Sequence, residues 1–314
     1  MNEPVLGGMA QTALDRPGPL LRMGNTNCGG CGLSSLMQMM RHAVADQPVH
    51  LVIPACCAAV AAGVFPQSTY GAPTLMTTFA SAAASASGIA SVAQLNGEDT
   101  RVICLAGDGG TYDIGFATLS AAAERNEDIL YICYDNEIYG NTGGQRSSAT
   151  PAGAMTTNLS GAKPEQKKDI MAIMASHRIP YAASISLAHA EDTVRKLRRA
   201  LDLKGFRFLH VLSPCPTGWK SEPALGMELV RLAVRSGLFP VFEVFDGKRH
   251  VVNIEPDFSD EALDMYLSLQ RRFQKSGISA SSLRPAIDRY WQDLRARSGR
   301  IIPARRQTTD SRSL

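Results

Sequence analysis

A glycine-flanked aspartate and a later asparagine have the residue types and spacing of a phosphate and magnesium site. Gly107-Asp108-Gly109 directly follows an apolar run typical of a buried strand, and Asn136 follows the next such run, 28 residues after Asp108. In an open α/β sheet, ligands bind beyond the carboxyl ends of the strands. Glycines let backbone N–H groups approach phosphates, and carboxylate and amide oxygens suit Mg²⁺. The pattern favours this site over a tight turn in which Asp108 only caps a helix.

Cysteines form the second group of residues that could do chemistry. The chain has seven cysteines, which in an intracellular protein indicates metal binding or catalysis rather than disulfides. Cys28 and Cys31 form a C-x₂-C pair, which alone fits a redox dithiol, half of a zinc site or part of an iron–sulfur site. Cys56 and Cys57 follow an apolar run, and Cys215 lies in the segment Ser-Pro-Cys-Pro-Thr-Gly-Trp.

These residues need a scaffold that brings the ends of several strands together. Apolar runs typical of buried strands occupy residues 50–53, 101–106, 129–134, 181–185, 206–212 and 241–245. Helical spacing occurs in residues 33–45, 114–125, 167–176, 191–203, 222–236, 261–275 and 284–297. Strands that alternate with helices predict an α/β fold with a mainly parallel sheet flanked by helices. Cys104 and Cys133 lie inside two of the apolar runs, so we expect them to pack in the core.

The chain divides into three parts by composition. We expect a Gly- and Pro-rich arm over residues 1–27, one large domain over 28–258, and a helical, basic extension over 259–314. A net charge of +3 is too small to indicate nucleic acid, and the arginines of the extension are expected to be solvated or to contact a partner subunit. These arginines are Arg295, Arg297, Arg300, Arg305 and Arg306.

The sequence does not predict a membrane protein. No N-terminal stretch has the charged start and apolar run of a signal peptide, so we expect a cytoplasmic location. The longest weakly polar stretch, residues 76–95, consists largely of Ala, Ser and Thr, which is typical of a closely packed helix of a globular protein.

The glycine loop and the segment after the next strand resemble those of thiamine-diphosphate enzymes. Residues 134–145, Tyr-Asp-Asn-Glu-Ile-Tyr-Gly-Asn-Thr-Gly-Gly-Gln, are similar to the corresponding loop of pyruvate:ferredoxin oxidoreductase and its relatives, and the likeness covers roughly residues 20–250. It implies a thiamine-diphosphate-binding fold. It also implies site residues: the loop glycines Gly107 and Gly109; the Mg²⁺ ligands Asp108, Asn136 and the backbone carbonyl of Ile138; and Asn141 and Thr142 near the diphosphate and the reacting centre, with Asn141 catalytic.

The same resemblance implies a [4Fe–4S] cluster. Cys28, Cys31 and Cys215 match the positions of its ligands, and the usual spacing favours Cys56 over Cys57 as the remaining one. Zinc is the alternative metal, because four thiolates also form a tetrahedral zinc site.

The resemblance further implies oxidative decarboxylation of a 2-oxoacid, with electrons passing through the cluster to ferredoxin. The sequence offers no convincing carboxylate to face the aminopyrimidine ring, since Glu137 adjoins the magnesium segment. We therefore expect other subunits of the oxidoreductase to supply that glutamate and the contacts to the substrate carboxylate. The chain looks closest to the oxalate-cleaving members, and pyruvate is the alternative substrate. A non-redox thiamine lyase would leave the cysteines unexplained, and a zinc-binding structural subunit would leave the glycine loop unexplained.

Overall fold

The computed structural model describes residues 20–63 and 68–299. In these ranges the strands are β1 Val49–Pro54, β2 Thr74–Thr77, β3 Arg101–Gly107, β4 Leu130–Asp135, β5 Tyr181–Ser186, β6 Arg207–Leu212, β7 Val241–Phe245 and β8 Arg249–Ile254. The α-helices are α1 Gly32–Val44, α2 Cys57–Ala61, α3 Ala82–Leu95, α4 Phe116–Glu124, α5 Ile170–Ser176, α6 Ala190–Asp202, α7 Pro216–Trp219, α8 Gly226–Arg235, α9 Asp260–Ser268 and α10 Ala280–Arg297. A short π-helix, Gly109–Asp113, begins two residues after β3.

The strands form one mixed sheet in the order β2-β1-β3-β4-β6-β5-β7-β8. The first six strands in this order are parallel, whereas β7 runs antiparallel to β5 and β8 runs antiparallel to β7. The predicted α/β fold with a mainly parallel, helix-flanked sheet is confirmed. Because β1, β3, β4 and β6 are parallel neighbours, the segments that follow them lie close together beyond the carboxyl ends of the strands, at what we call the carboxyl edge of the sheet. These segments are residues 55–57, 108–109, 136–142 and 213–215.

Helices cover both faces of the sheet, which explains why its central strands are apolar along their whole length. On one face, side chains of β3 and β4 pack against α3, α4, α5 and α10. On the other face, side chains of β1, β3 and β6 pack against α1, α2 and α6. Cys104 and Cys133 are both fully buried in the first of these cores, as predicted. In the part of the chain described here, no helix combines the length and apolar character needed to cross a membrane.

Two strands depart from the sequence expectation. β2 occupies the start of the 76–95 stretch, where a helix was expected, and the helix α3 begins only at Ala82. The threonines of β2 favour extended backbone, and the strand pairs with β1 at the edge of the sheet. β8 was not expected; it forms a hairpin with β7 through Asp246 and Gly247, which both have positive φ, as type I′ turns require.

The C-terminal helices α9 and α10 pack onto the rest of the fold rather than standing apart from it. Ile287, Trp291 and Leu294 of α10 are buried in the same core as β3 and β4. A capping box at Ser279 and Ser282 satisfies backbone groups at the start of α10. Residues 1–19 of the expected arm and Arg300, Arg305 and Arg306 of the basic extension lie outside the described residues.

A buried carboxylate joins the antiparallel end of the sheet to α6. Glu243 is 1% exposed and accepts hydrogen bonds from Tyr181 Oη at 2.8 Å, Arg195 Nη2 at 3.1 Å and Asn253 Nδ2 at 2.6 Å. Arg199 also pairs with it. Burial alone would raise the pKa of Glu243, but these donors lower it to about 2. The ionised form is therefore favoured in the folded protein.

We expect Glu243→Gln to destabilise the protein by about 2 kcal/mol at neutral pH, because the two half-exposed arginines lose the buried carboxylate that pairs with them and water replaces it only in part. The folded-state pKa lies below the usual value of 4.5, so this stabilisation is present above pH ~4.5 and is lost as the pH falls towards 2. Urea unfolding of both proteins across this range measures the difference. If the difference in unfolding free energy between the wild type and Glu243→Gln stayed the same at low pH, the assignment of Glu243 as an ionised carboxylate would be contradicted.

Candidate functional site

The residues singled out after β3 and β4 bring polar atoms together at the sheet edge. The side-chain amide of Asn136 ends in one nitrogen and one oxygen. The terminal atom on the Asp108 side lies 2.9 Å from Asp108 Oδ1 and 2.8 Å from the carbonyl oxygen of Ile138. When this atom is nitrogen, both contacts are hydrogen bonds. When it is oxygen, three acceptors converge, which is an arrangement suited to a small divalent cation. The predicted magnesium ligands are therefore grouped in space, and their donor set fits Mg²⁺.

Asp108 is held in a low-dielectric position. It is 2% exposed, and the hydroxyl of Ser147 donates a hydrogen bond to its Oδ2. Burial and, second, the nearby carboxylate of Asp135 raise the pKa of Asp108 well above its usual value. A cation at this point would offset both effects, because it stabilises the charged form of the carboxylate.

A buried network supports the turn that presents Asn136. Asp135 Oδ2 accepts hydrogen bonds from Lys167 Nζ at 2.6 Å, His210 Nε2 at 2.8 Å and Tyr112 Oη at 3.0 Å. Its Oδ1 accepts the backbone N–H of Glu137 at 2.9 Å. Burial would raise the pKa of Asp135, but Lys167 and His210 together hold it well below its usual range. The network fixes the backbone on both sides of Asn136.

Sequence reasoning missed this network. Tyr112, Lys167 and His210 come from three distant segments, and no spacing in the sequence relates them to one another. Asp135 could have been noticed, because it directly precedes Asn136. Glu137 has a positive φ of 64°, and its carboxylate pairs with Lys167 and Arg272.

A cavity of about 370 Å³ opens at this edge of the sheet. All the predicted cofactor-binding residues line it: Gly107, Asp108, Gly109, Asn136, Ile138, Asn141 and Thr142. Ala59, Val60 and Phe79 form an apolar part of its wall. Among the described residues that line the cavity, Asp108 carries the only carboxylate, and none is Lys, Arg or His. The carboxylate of Glu137 is outside this lining and pairs with Lys167 and Arg272.

Gly109 lacks room for any side chain. A Cβ atom there would lie 2.1 Å from the ring of Tyr139, whose hydroxyl contacts the carbonyl oxygen of Gly109 at 3.2 Å. The glycine thus lets Tyr139 close over the start of the π-helix. This packing adds a second reason for the glycine, besides the backbone approach to phosphate that the sequence predicts.

The adjacent cysteines face different neighbours. Cys56 donates a hydrogen bond from its thiol to the carbonyl oxygen of Pro54 at 2.9 Å and lies against Tyr134. Cys57 instead lies 3.4 Å from Asn141 Oδ1, and burial followed by the proximity of Cys215 and Cys31 raises its pKa to about 12.

Cys215 has a similar environment to Cys57. Burial raises its pKa to about 11, with smaller contributions from Cys31 and Cys28, and the backbone N–H of Gly218 donates to its sulfur at 3.3 Å. Cys57 and Cys215 therefore both lie near Cys31, and Cys56 also adjoins Cys57. Over residues 20–63 and 68–299, no three His, Cys, Asp or Glu side chains already have the geometry of a metal site.

The Cys215 segment packs directly on the Asn136 segment. Trp219 Nε1 donates a hydrogen bond to the carbonyl oxygen of Asn136 at 2.9 Å, and a Cβ at Gly218 would lie 2.7 Å from Ile138 Cγ2. Arg272 stacks 4.5 Å over the Trp219 ring and pairs with Glu137 at 2.7 Å. The candidate cluster segment and the candidate diphosphate segment thus form one rigid unit.

Comparison with known proteins assigns the family. Residues 55–211 match the model of the thiamine pyrophosphate enzyme C-terminal TPP binding domain. Ketoisovalerate oxidoreductase subunit VorB of Pyrococcus horikoshii is 42% identical over 262 residues, which covers 80% of this chain and 84% of that protein. Pyruvate synthase subunit PorB of Methanocaldococcus jannaschii is 40% identical over 264 residues, which covers 80% of this chain and 88% of that protein. The chain belongs to the β-subunit family of 2-oxoacid:ferredoxin oxidoreductases.

This membership confirms the family that the glycine loop and the 134–145 segment predict. A solved 2-oxoglutarate:ferredoxin oxidoreductase from Magnetococcus marinus has a similar fold, with a TM-score of 0.56 at 20% identity over 67% of this chain and 79% of that chain. The thiamine-diphosphate-binding fold and the assignment to an oxidoreductase family that acts on 2-oxoacids are thus confirmed.

Proposed function

We propose that this chain binds Mg²⁺, thiamine diphosphate and one [4Fe–4S] cluster as the β subunit of a 2-oxoacid:ferredoxin oxidoreductase of the cytoplasm. The observation that carries the proposal is the convergence of Asp108, Asn136 and the Ile138 carbonyl on the wall of the cavity that Cys57 also lines. The diphosphate cofactor supplies the carbanion chemistry of decarboxylation when bound. The remaining steps depend on how the residues of this chain position the reacting groups and exclude water.

Each part of the cavity wall has a role in this proposal. The backbone of Gly107 and Gly109 would contact the diphosphate, and Asn141 and Thr142, which line the same cavity, would lie near the reacting centre. Asn141 is the proposed catalytic residue, since its amide can hydrogen-bond a polar group in the cavity. The apolar wall of Ala59, Val60 and Phe79 would help to keep water from the reacting groups once the cofactor and the other subunits cover it.

The cluster ligands in this proposal are Cys28, Cys31, Cys57 and Cys215. Cys57 is preferred to Cys56, the residue that the sequence spacing favours: both line the cavity, but Cys57 lies near Cys215 and Cys31, whereas the Cys56 thiol bonds to the Pro54 carbonyl oxygen. A cluster held by these cysteines would adjoin the cavity and would supply an exit for electrons towards ferredoxin. Metal analysis with a visible spectrum distinguishes this site from the zinc alternative, since a zinc site is colourless.

We propose an apolar 2-oxoacid as substrate. Relatives at about 40% identity are named for ketoisovalerate and for pyruvate synthesis. Oxalate, the expectation from the sequence, is a dianion, and the described lining residues of the cavity include no Lys, Arg or His to meet its second carboxylate. A substrate panel with the intact complex and a dye acceptor decides between them. Preferential turnover of oxalate would restore the sequence expectation and indicate that partner subunits supply the missing cations.

We expect the purified chain to be inactive by itself. Within the described lining of the cavity, Asp108 is the only carboxylate, and it is committed to the cation. We therefore infer that another subunit supplies a carboxylate for the aminopyrimidine ring, and catalysis needs both halves in fixed geometry, because a displacement of about 1 Å can cost a factor of ~100. The test compares 2-oxoacid-dependent dye reduction by the reconstituted chain and by the whole complex. Equal turnover would refute the half-site proposal.

A further inference from the structure

Asn136 stands between the proposed cation site and the proposed cluster. One end of its amide lies 2.8 Å from the Ile138 carbonyl oxygen and 2.9 Å from Asp108 Oδ1, and the other end lies 3.9 Å from Cys57 Sγ. Its own carbonyl oxygen accepts the N–H of Trp219. That hydrogen bond holds the backbone in place, and a half-turn of the side-chain amide exchanges its nitrogen and oxygen between the two ends.

The two amide orientations satisfy different sets of neighbours. With nitrogen towards Asp108, the amide donates to two oxygen acceptors and turns its oxygen towards the Cys57 thiol. With oxygen towards Asp108, three oxygen acceptors face each other, and the amide nitrogen points at the sulfur of Cys57. The second orientation is stable only when a cation joins the oxygens, and it is favoured further when the sulfur is a thiolate, because a thiolate accepts an N–H strongly.

We propose that the Asn136 amide couples cation–diphosphate binding to the redox state of the cluster. The inference rests on the proposed function, with Cys57 as a cluster ligand. Binding of Mg²⁺ and thiamine diphosphate fixes the amide oxygen on the cation and its N–H on the Cys57 sulfur. A hydrogen bond to a cluster sulfur stabilises the reduced cluster, whose sulfurs carry more negative charge, and so raises the reduction potential.

Linkage requires the reverse effect as well. If the cofactor raises the potential of the cluster, then reduction of the cluster must tighten cofactor binding by the corresponding factor. The cofactor would thus be held most firmly after its electrons have passed to the cluster. We expect this coupling to amount to at least about fivefold in affinity, the lower end of typical coupling between two sites.

The test is a potentiometric titration of the intact complex, followed by electron paramagnetic resonance, with and without Mg²⁺ and thiamine diphosphate. The wild-type cluster should shift to higher potential when the cofactor is added. Asn136→Thr keeps a neutral oxygen for the cation but removes the N–H, so it should bind the cofactor and lose most of the shift. Asn96→Thr is the matched control, since Asn96 lies exposed at the end of α3 and contacts Glu98.

The outcomes separate this inference from the proposed function. A wild-type complex without an iron–sulfur signal would overturn the proposed function itself. An iron–sulfur cluster whose potential ignores the cofactor, or shifts equally in Asn136→Thr, would overturn the coupling alone. If Asn136→Thr fails to bind the cofactor, the coupling is tested on the wild-type complex instead. Its affinities for Mg²⁺ and thiamine diphosphate are then compared between the oxidised and the dithionite-reduced states. Equal affinities in the two states would also overturn it.

Discussion

Asp108→Asn is expected to weaken the binding of Mg²⁺ and thiamine diphosphate by at least ~100-fold while leaving the iron content unchanged. Asp108 supplies the one charged oxygen among the three that converge at the end of β3 and β4. Loss of a group that merely orients a metal ligand costs up to ~100-fold, so loss of the charged ligand itself should cost at least as much. Calorimetric titration with Mg²⁺ and thiamine diphosphate measures the effect.

The folded structure should tolerate this change. Asn has the shape of Asp, can accept the hydrogen bond from Ser147, and removes a buried charge that lies close to Asp135. Asp113→Asn is the matched control, because Asp113 bonds to Ser148 and Tyr139 and does not line the cavity. Wild-type affinity in Asp108→Asn, or an equal loss in Asp113→Asn, would contradict the assignment of Asp108 to the cation.

The scaffold of this site could be predicted from sequence because it depends on local patterns. Continuous apolar runs identify strands that are buried on both faces, and β3 and β4 begin and end within one residue of the predicted runs. The last two residues of β2, Met76 and Thr77, were predicted as the start of a helix because the 76–95 stretch consists largely of Ala, Ser and Thr. β8 was missed because an antiparallel edge strand is partly polar.

The site itself was predictable only in part. The diphosphate and magnesium residues are adjacent to strand ends, so a rule about parallel sheets is enough to bring them together. The hydrogen bonds that hold the site in place join residues distant in sequence. Lys167 donates to Asp135 from a loop, and Trp219 donates to the Asn136 carbonyl oxygen from the segment after β6. Such contacts depend on the packing of side chains, which spacing along the chain does not encode.

The choice between Cys56 and Cys57 as cluster ligand also depends on side-chain packing rather than on spacing along the chain. Two neighbouring residues at a strand end point in different directions, and a shift of one position exchanges their environments. Cys56 begins the turn into α2 with extended backbone, and its thiol bonds to Pro54. Cys57 is the first residue of α2, and its thiol contacts Asn141 Oδ1 at 3.4 Å, although both cysteines line the cavity. Spacing along the chain favours Cys56, and the iron content of the two serine variants tests that choice against Cys57.

Cys57→Ser is expected to remove the cluster from the chain, with loss of bound iron and of the visible absorbance. A cluster iron needs a thiolate at each protein position, and a serine hydroxyl at one of the four proposed positions is a poor substitute. The variant should also lose 2-oxoacid-dependent dye reduction, because electrons would have no exit from the cavity. Iron and sulfide analysis of the purified complex measures the first effect directly.

Cys56→Ser is the matched control, since it makes the same chemical change one residue away. The hydroxyl of serine can donate to the Pro54 carbonyl as the Cys56 thiol does, so the turn into α2 should be preserved and the iron content should stay at the wild-type value. The opposite result, with iron lost in Cys56→Ser and kept in Cys57→Ser, would return the ligand to Cys56 and remove the basis for coupling through Asn136. Loss of iron in both variants, with both complexes folded, would mean that the pair acts together and that α2 rearranges when the cluster binds.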